Sequence, residues 1–272
     1  MVVDFHTHVF PDKIAKATIS SLENAASIRA CFDGTVGGLI SHMQKSGVDI
    51  SVNLPVLTKP SQFESVCRFG VSINEMFASS KVNKIISFAG IHPDCDNIPE
   101  KMKFLKDNGF LGIKIHPDYQ NAFINHPGYI QILSCAKDLD MIVVTHAGVD
   151  DGYIGEPVKC PPELCLEVIN KVNHSKFVLG HFGGHSQWDR VYNLLCGKDV
   201  YFDTAFTFHE IDKDLFVDIV NKHGEDKILF ATDCPWRDQK DDLSIFSKMN
   251  LSEGIKQKIL YKNAFELLGI KE

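Results

Sequence analysis

The strongest constraint on the fold is the alternation of eight short apolar runs with stretches that are each long enough to form a helix. The runs are nearly continuous in apolar residues, as in "MIVVTHAG" and "KIISFAGIHP", which is typical of parallel strands covered by helices. Eight strand-and-helix units in a chain of this size match a (β/α)8 TIM barrel, whereas an open doubly wound sheet normally has fewer strands. We therefore predict an α/β fold of the (β/α)8 class. The predicted strands are Val2–His8, Val48–Val56, Ile85–His92, Leu111–His116, Met141–Ala147, Phe177–Phe182, Val200–Ala205 and Ile228–Asp233.

Helical patterns lie between these runs, and three of them begin at proline, which favours the first turn of a helix. They are "PEKMKFLKDNGF", "PGYIQILSCAKDLD" and "PPELCLEVINKV". The amphipathic segment "SEGIKQKILYKNAFELLGI" predicts a last helix that ends near Gly269. Because no linker or low-complexity tract divides the chain, we interpret residues 1–272 as one domain.

The charge of the chain argues against several classes of partner. The formal net charge is −7 and no basic block or stripe occurs, which disfavours nucleic acid and anionic membranes as partners. No apolar run approaches the ~18 residues that a membrane helix needs, and the start of the chain lacks the pattern of a signal peptide. We expect a cytoplasmic protein that acts on a small molecule, with a homodimer as the expected oligomeric state.

The cysteines do not form a recognisable metal or disulfide pattern. They show neither a CxxC pair nor the spacing of a zinc ribbon, so reduced thiols are predicted. Only Cys234, which follows Asp233, stands next to a candidate functional residue. The eight cysteines are Cys31, Cys67, Cys95, Cys135, Cys160, Cys165, Cys196 and Cys234.

Polar residues collect where the predicted strands end. In the opening segment "VVDFHTHVFPD", strict alternation along a strand places Asp4, His6 and His8 on the same face. Active sites of (β/α)8 barrels are built at the carboxyl ends of the strands. The residues found at such ends are His6, His8, His92, His116, His146, His181 and Asp233.

Four of these residues form a candidate metal site. His6 and His8 lie about 6.7 Å apart along an ideal strand, and two imidazoles can close that distance on one ion. His146 and Asp233 supply a nitrogen and an oxygen from other strands. Each residue alone has an ordinary explanation, such as a hydrogen-bonded core histidine, and it is their coincidence on several strands that indicates a site. Three imidazoles and a carboxylate suit Zn²⁺, with Mn²⁺, Co²⁺ or Fe²⁺ as alternatives.

The same motifs resemble the amidohydrolase superfamily, and more narrowly the amidohydrolase-related group that includes aminocarboxymuconate semialdehyde decarboxylase. "DFHTH" is similar to its first-strand motif, "THAG" to its fifth-strand histidine, "LGHFGGH" to its sixth-strand motif and "ATDCPW" to its eighth-strand motif, while "LYKNAFELLGI" resembles its closing helix. The resemblance implies that His6, His8, His146 and Asp233 bind metal and that His181 acts beside it. The chain departs from the family at Phe182, which replaces a glycine, and at His185, so the pocket beside His181 is expected to differ in shape.

The fourth predicted strand adds two candidates on one face, Lys114 and His116, within "GFLGIKIHPDYQ". Some relatives carry a carboxylated lysine at this strand that bridges two metals, which would make Lys114 a ligand, with His181 as a further ligand of the second ion. The alternatives are a substrate contact and a structural ion pair. Lys114, His116 and Arg237 are our candidates for binding substrate, ahead of His92 and His185, although Arg237 also fits a solvated loop cation.

These residues predict a metal-dependent hydrolase that acts on an amide, a lactone or a related carbonyl compound. Asp233 would transfer the proton of the attacking water, and His181 would contact that water or the developing oxyanion. The alternative is non-oxidative decarboxylation of an unsaturated or aromatic acid at the same site. A third interpretation, a metal- or ligand-binding protein without catalysis, predicts a closed site with no exchangeable water.

Overall fold

The computed structural model describes residues 1–271 and consists of parallel strands surrounded by helices. The strands form two parallel groups, β1–β2–β3 and β4 through β9 in chain order. Their bounds are β1 Val3–Thr7, β2 Ile50–Asn53, β3 Lys84–Ser87, β4 Ala89–Gly90, β5 Gly112–Ile115, β6 Ile142–Thr145, β7 Phe177–Leu179, β8 Tyr201–Asp203 and β9 Ile228–Leu229. Each predicted strand is present, and the third is divided at Phe88 into β3 and β4. The predicted (β/α)8 barrel is therefore confirmed.

The two ends of the sheet meet and close the barrel. The backbone N–H of Phe5 donates to the carbonyl oxygen of Phe230 (2.9 Å), and that of Asp233 donates to the carbonyl oxygen of His6 (2.9 Å). Thr7 also pairs in parallel with Cys234. This closure places the first and last predicted site residues, which are more than 220 residues apart in the chain, on neighbouring strand ends.

Helices pack around the strands and begin where the sequence predicts. The prolines of α5 and α6 occupy their first turns, and Gly269 ends α11 in the left-handed region with φ of 68°. One π-helical turn, Lys258–Lys262, joins α10 to α11 in the predicted last helix. The bounds are α1 Asp12–Ala26, α2 Val36–Ser46, α3 Phe63–Met76, α4 Ile98–Asp107, α5 Pro127–Asp138, α6 Pro162–Val172, α7 Trp188–Leu194, α8 Lys213–His223, α9 Gln239–Ser247, α10 Glu253–Gln257 and α11 Asn263–Leu268.

The apolar core has an inner and an outer layer. Phe5, Val52 and Val144 belong to one buried cluster, and their strand neighbours such as Ile113 and Leu179 belong to another that contains the inward faces of the helices. A strand that is apolar on both faces gives the continuous runs seen in the sequence. Few charged side chains are buried within the strands, among them Asp4 on β1, Lys114 on β5 and Asp203 on β8.

The buried histidine His223 makes the stability of the fold depend on pH. The ring of His223 at the end of α8 stacks on Phe202 with a centroid distance of 3.8 Å, and its Nε2 donates to the carbonyl oxygen of Val200 at 3.0 Å. Burial lowers the pKa of His223 from 6.5 to about 4. The unfolded chain therefore binds more protons between these values, so stability is complete above pH 6.5 and decreases as the pH falls towards 4.

We expect this single group to reduce the free energy of unfolding by about 2 kcal/mol between pH 7 and pH 5. The measurement is urea unfolding of the wild type and of His223→Gln at both pH values. The variant lacks the titrating group. Its free energy of unfolding should therefore fall by about 2 kcal/mol less than that of the wild type between the two pH values, whatever its absolute stability. Equal pH dependence in the two proteins would contradict the assignment.

Candidate active site

A cavity of about 480 Å³ opens at the carboxyl ends of the strands. Most of the predicted site residues line it, and they come from the ends of β1, β5, β6, β7 and β9. The predicted residues in the cavity wall are His6, His8, Lys114, His116, His146, His181, His185 and Asp233. The structure thus brings together residues from both ends of the sequence at the place that the barrel fold predicts.

A bulge in β1 determines which residues face the cavity. The register of β1 against β2 shifts between Asp4 and Thr7, so strict alternation does not hold there. The expectation that Asp4 shares a face with His6 and His8 is therefore wrong. Asp4 accepts hydrogen bonds from the hydroxyl of Thr232 (2.6 Å) and from the amide of Gln239 on α9 (2.7 Å), and it does not line the cavity.

His6 on β1 and His8, which directly follows β1, are both anchored through Nδ1. The Nδ1 of His6 donates to Asp203 Oδ2 at 2.9 Å, and the Nδ1 of His8 donates to the carbonyl oxygen of Leu54 at 2.9 Å. A neutral imidazole that donates through Nδ1 carries a lone pair on Nε2. Both Nε2 atoms are therefore acceptors or metal ligands, and such anchoring of the far nitrogen is usual for metal-binding histidines.

Asp233 faces these two lone pairs. Its Oδ1 lies 2.9 Å from His8 Nε2 and 3.5 Å from His6 Nε2. A carboxylate oxygen and an imidazole lone pair are both acceptors, so a proton or a cation must lie between them to stabilise this arrangement. The ligand atoms of His6, His8 and Asp233 all lie within 4.8 Å of one another. Their chemistry and spacing fit a divalent ion.

His146 lies beyond this group, in a row of rings. The centroid of His181 is 5.3 Å from that of His6 and 4.5 Å from that of His146, and His116 stacks on His146 at 4.4 Å. His146 Nε2 is buried and has no hydrogen-bond partner. The structure therefore brings three of the four predicted metal ligands into one group and places the fourth next to His181, with an unpaired nitrogen.

The tautomers of His181 and His116 differ. Nδ1 of His181 donates to the carbonyl oxygen of Ala205 (3.1 Å), so its Nε2 is an acceptor. Nδ1 of His116 instead accepts from the backbone N–H of Tyr119 (3.4 Å), so in its neutral form Nε2 carries the proton. Burial lowers the pKa of each of these imidazoles well below 6.5, which keeps both rings neutral at pH 7.

Lys114 is the buried cation of the site. Its Nζ lies 3.0 Å from His6 Nε2, which accepts its hydrogen bond. Burial is the main cause that lowers the pKa of Lys114 to about 8. An amine with such a pKa is neutral in part near pH 8, the form that carboxylation requires.

Two backbone features shape the rim. His181, Phe182 and Asp233 have positive φ angles of 56°, 57° and 72°, a conformation that non-glycine residues adopt mainly where the surrounding structure enforces it and that collects at functional sites. Gly148 follows His146 with φ of 87°, and a Cβ atom there would collide with the backbone of His185. This close approach explains the glycine of "THAG".

Two predicted residues do not reach the cavity. Arg237 lies with its Nε 3.9 Å from Asp242 Oδ1 and its guanidinium over the ring of Phe206, and it is absent from the cavity wall. His92 accepts a hydrogen bond from the backbone N–H of Asp94 and is also outside the wall. Phe182 turns away from the cavity and stacks on Phe216 with a centroid distance of 4.6 Å.

Several functional candidates were not predicted. Asp203 orients His6, and Asp150 lies with its Oδ2 3.5 Å from His116 Nε2 and 4.0 Å from His146 Nε2. Burial raises the pKa of Asp150 to about 7. The signal for Asp203 was a carboxylate inside a predicted strand, in "YFDTAF", and the signal for Asp150 was its place four residues after His146.

Comparison with models of protein families identifies the family of this chain. The family model described as amidohydrolase matches residues 3–270. The chain belongs to the amidohydrolase family. It is therefore an enzyme of the amidohydrolase superfamily, and the resemblance inferred from its motifs is confirmed.

Solved structures share this fold along their whole length. A dihydroxybenzoic acid decarboxylase from Polaromonas with bound manganese and 2-nitroresorcinol is 15% identical, with a TM-score of 0.70 over 98% of this chain and 96% of that one. A probable 2-pyrone-4,6-dicarboxylic acid hydrolase from Acinetobacter baumannii with citric acid bound is 18% identical, with a TM-score of 0.69 over 99% of both chains. A 2,6-dihydroxybenzoate decarboxylase from Rhizobium is 16% identical, with a TM-score of 0.67 over 98% of both chains.

A comparison with curated protein sequences finds no significant match. Within residues 1–271, no helix is both long enough and apolar enough to cross a lipid bilayer.

Proposed function

We propose that this chain is a single-domain, metal-dependent hydrolase that uses activated water on an amide, a lactone or a related carbonyl substrate. The observation that carries the proposal is the arrangement of His6, His8 and His181, whose Nδ1 atoms are each anchored so that Nε2 faces one cavity next to the Asp233 carboxylate. Lone pairs and a carboxylate that converge in this way are a ligand set for a divalent cation, and among them His6 Nε2 also accepts a hydrogen bond from Lys114 Nζ.

His6, His8, His146 and Asp233 would hold this ion. The unpaired Nε2 of buried His146 supports its inclusion, since a buried polar atom without a partner is costly. Zn²⁺ is our first expectation, and Mn²⁺, Co²⁺ or Fe²⁺ suit the same donors. If a second ion is bound, His181 and a carboxylated Lys114 are its candidate ligands, since His181 lies beside His146 and Lys114 beside His6.

The ion, when bound, would lower the pKa of a water molecule towards about 7 and polarise the substrate carbonyl. Asp233 accepts the proton of the attacking water and returns it to the leaving group. His181 accepts a hydrogen bond from that water through Nε2, because its own N–H is used by Ala205. The oxyanion therefore needs other donors, and His116 Nε2 and Lys114 Nζ in the cavity wall can supply them.

The test is assay of the purified protein against cyclic amides and lactones, with the metal measured per chain. We expect at least one ion per chain, loss of activity on chelation and recovery when metal is added back. The count is made on protein that carries Cys31→Ser, so that only metal in the cavity is included. Two ions would support the Lys114 bridge, and one would support the four-ligand centre. Full activity of metal-free protein would sink the proposal.

Decarboxylation of an aromatic or unsaturated acid is the second candidate. Two of the solved structures described above are named as decarboxylases of dihydroxybenzoic acids. In this chain, His116 and Tyr119 stack at 4.1 Å with their planes 16° apart and give the cavity a flat wall that suits a planar ring. Carbon dioxide release without incorporation of ¹⁸O from labelled water would favour this reaction over hydrolysis.

A cytoplasmic location and a homodimer stay predictions of the sequence. Cell fractionation checks the first, and light scattering of the purified protein checks the second.

A further inference from the structure

Two cysteines, a histidine and an aspartate lie together outside the catalytic cavity. Cys31 lies in the segment between α1 and α2, and His42 lies on α2. Cys234 and Asp238 flank the turn that leads from β9 to α9. None of the four lines the cavity, so this group is separate from the catalytic one although Cys234 is the next residue after Asp233.

Three distances within this group are close to the edges of a tetrahedron around zinc, two that involve the cysteine sulfur atoms and one between His42 and Asp238. With Zn–S bonds near 2.3 Å and Zn–N and Zn–O bonds near 2.0 Å, a tetrahedral site has S···S, S···N and N···O edges of about 3.8, 3.6 and 3.3 Å. The Sγ atoms of Cys31 and Cys234 are 3.7 Å apart, and Cys31 Sγ is 3.7 Å from His42 Nε2. His42 Nε2 is 3.4 Å from Asp238 Oδ2.

We propose that Cys31, His42, Cys234 and Asp238 form a second metal site, which binds Zn²⁺ through two thiolates, an imidazole and a carboxylate. The three ligand atoms of Cys31, His42 and Cys234 already lie within 4.8 Å of one another. This donor set selects zinc over the hard cations Mg²⁺ and Ca²⁺, which prefer oxygen.

The surroundings hold the ligands in place. Cys234 is fully buried, and the side chain of His42 is 12% exposed. The ring of Phe32 stacks against that of His42 at 5.8 Å, and the backbone N–H of Cys31 donates to the carbonyl oxygen of Pro235 at 2.8 Å. Such prior positioning reduces the entropy that metal binding must overcome.

The site would join two loop segments that lie far apart in the sequence. Cys31 belongs to the segment between α1 and α2, while Cys234 and Asp238 belong to the turn that begins at Asp233. A bound ion would therefore hold this turn to the α1–α2 segment. The role is structural and does not depend on which reaction the cavity performs.

A disulfide between the two cysteines is the competing state. It requires the sulfur atoms to approach from 3.7 Å to about 2.05 Å, and it leaves the His42 ring without a ligand role, while Asp238 still caps α9. The test therefore begins with protein purified under reducing conditions, stripped with a chelator and titrated with Co²⁺ alone. Thiolate ligation to Co²⁺ gives a near-ultraviolet charge-transfer band, which nitrogen and oxygen ligands of the cavity do not produce.

We expect the band in the wild type and its loss in Cys31→Ser, together with one fewer Zn²⁺ per chain after zinc loading. Cys135→Ser, a cysteine of α5 distant from this group in the sequence, is the matched control and should keep both. His42→Gln, on α2, is a second variant in case Cys31→Ser does not fold, and it should weaken zinc binding at least tenfold while the band shifts.

Equal zinc counts and spectra in the wild type and Cys31→Ser, or thiol titration that finds the pair oxidised in the reduced preparation, would overturn the proposal. Failure of the catalytic proposal would leave the band in place.

Discussion

Asp233→Asn is expected to lower kcat about 10³-fold on whichever substrate the assays identify. The amide keeps the size of the carboxylate but cannot accept the proton of the attacking water, and proton transfer of this kind contributes about 10²- to 10⁴-fold. The amide oxygen can still face His6 and His8, as Oδ1 does at 3.5 and 2.9 Å. We therefore expect the rate to fall even when metal is supplied at saturation, as measured by initial rates with the metal counted per chain.

The control is Asp107→Asn on α4, where the carboxylate pairs with exposed Lys103. Exposed pairs of this kind contribute little to stability, and this variant should keep the wild-type rate. An Asp233→Asn protein that retains its metal and works within tenfold of the wild type would exclude Asp233 as the proton carrier.

The fold could be predicted because its main signal is local. Each strand is a short apolar run, and a strand that is buried on both faces shows this without knowledge of its neighbours. The strand ends could be predicted for the same reason, and with them His6, His8, His181 and Asp233. The barrel then brings them together, since parallel strands end at the same rim.

The parts that could not be predicted depend on register and on contacts between distant segments. Strict alternation places Asp4 with His6, but one extra residue in β1 turns Asp4 towards Gln239. No sequence pattern marks such a bulge. Arg237 has the chemistry of a carboxylate anchor, yet its Nε lies 3.9 Å from Asp242 Oδ1, and it is not part of the cavity wall.

The proximity of Cys31 and Cys234 also could not be predicted from their spacing, since they are 203 residues apart. A zinc ribbon can be recognised in a sequence because its ligands are close in the chain. Here the two cysteines come together only because the barrel closes. The same holds for Asp203, whose importance becomes clear only when its carboxylate is seen to accept the N–H of His6.

Asp203→Ala is expected to weaken metal binding in the cavity about 10- to 100-fold, the usual effect of removing the partner of a ligating imidazole. Asp203 is fully buried and accepts from His6 Nδ1 at 2.9 Å, from the backbone N–H of His181 at 3.1 Å and from that of Ala205 at 3.1 Å. Without it, His6 is free to rotate and to change tautomer, and the position of His181 loosens. Asp203→Asn should lie between the alanine variant and the wild type, because its amide oxygen still accepts from Nδ1.

The affinity is measured by competition with a chromophoric chelator, on protein that also carries Cys31→Ser so that only metal in the cavity is counted. The matched control is Asp4→Asn. Asp4 is an equally buried carboxylate that accepts from the side chains of Thr232 and Gln239 and from the backbone N–H groups of His6 and Thr232, but not from a ring nitrogen. Asp4→Asn should reduce thermal stability without changing metal affinity. If both carboxylates affect affinity equally, Asp203 acts through general stability, and the anchoring of His6 is not what prepares the site for metal.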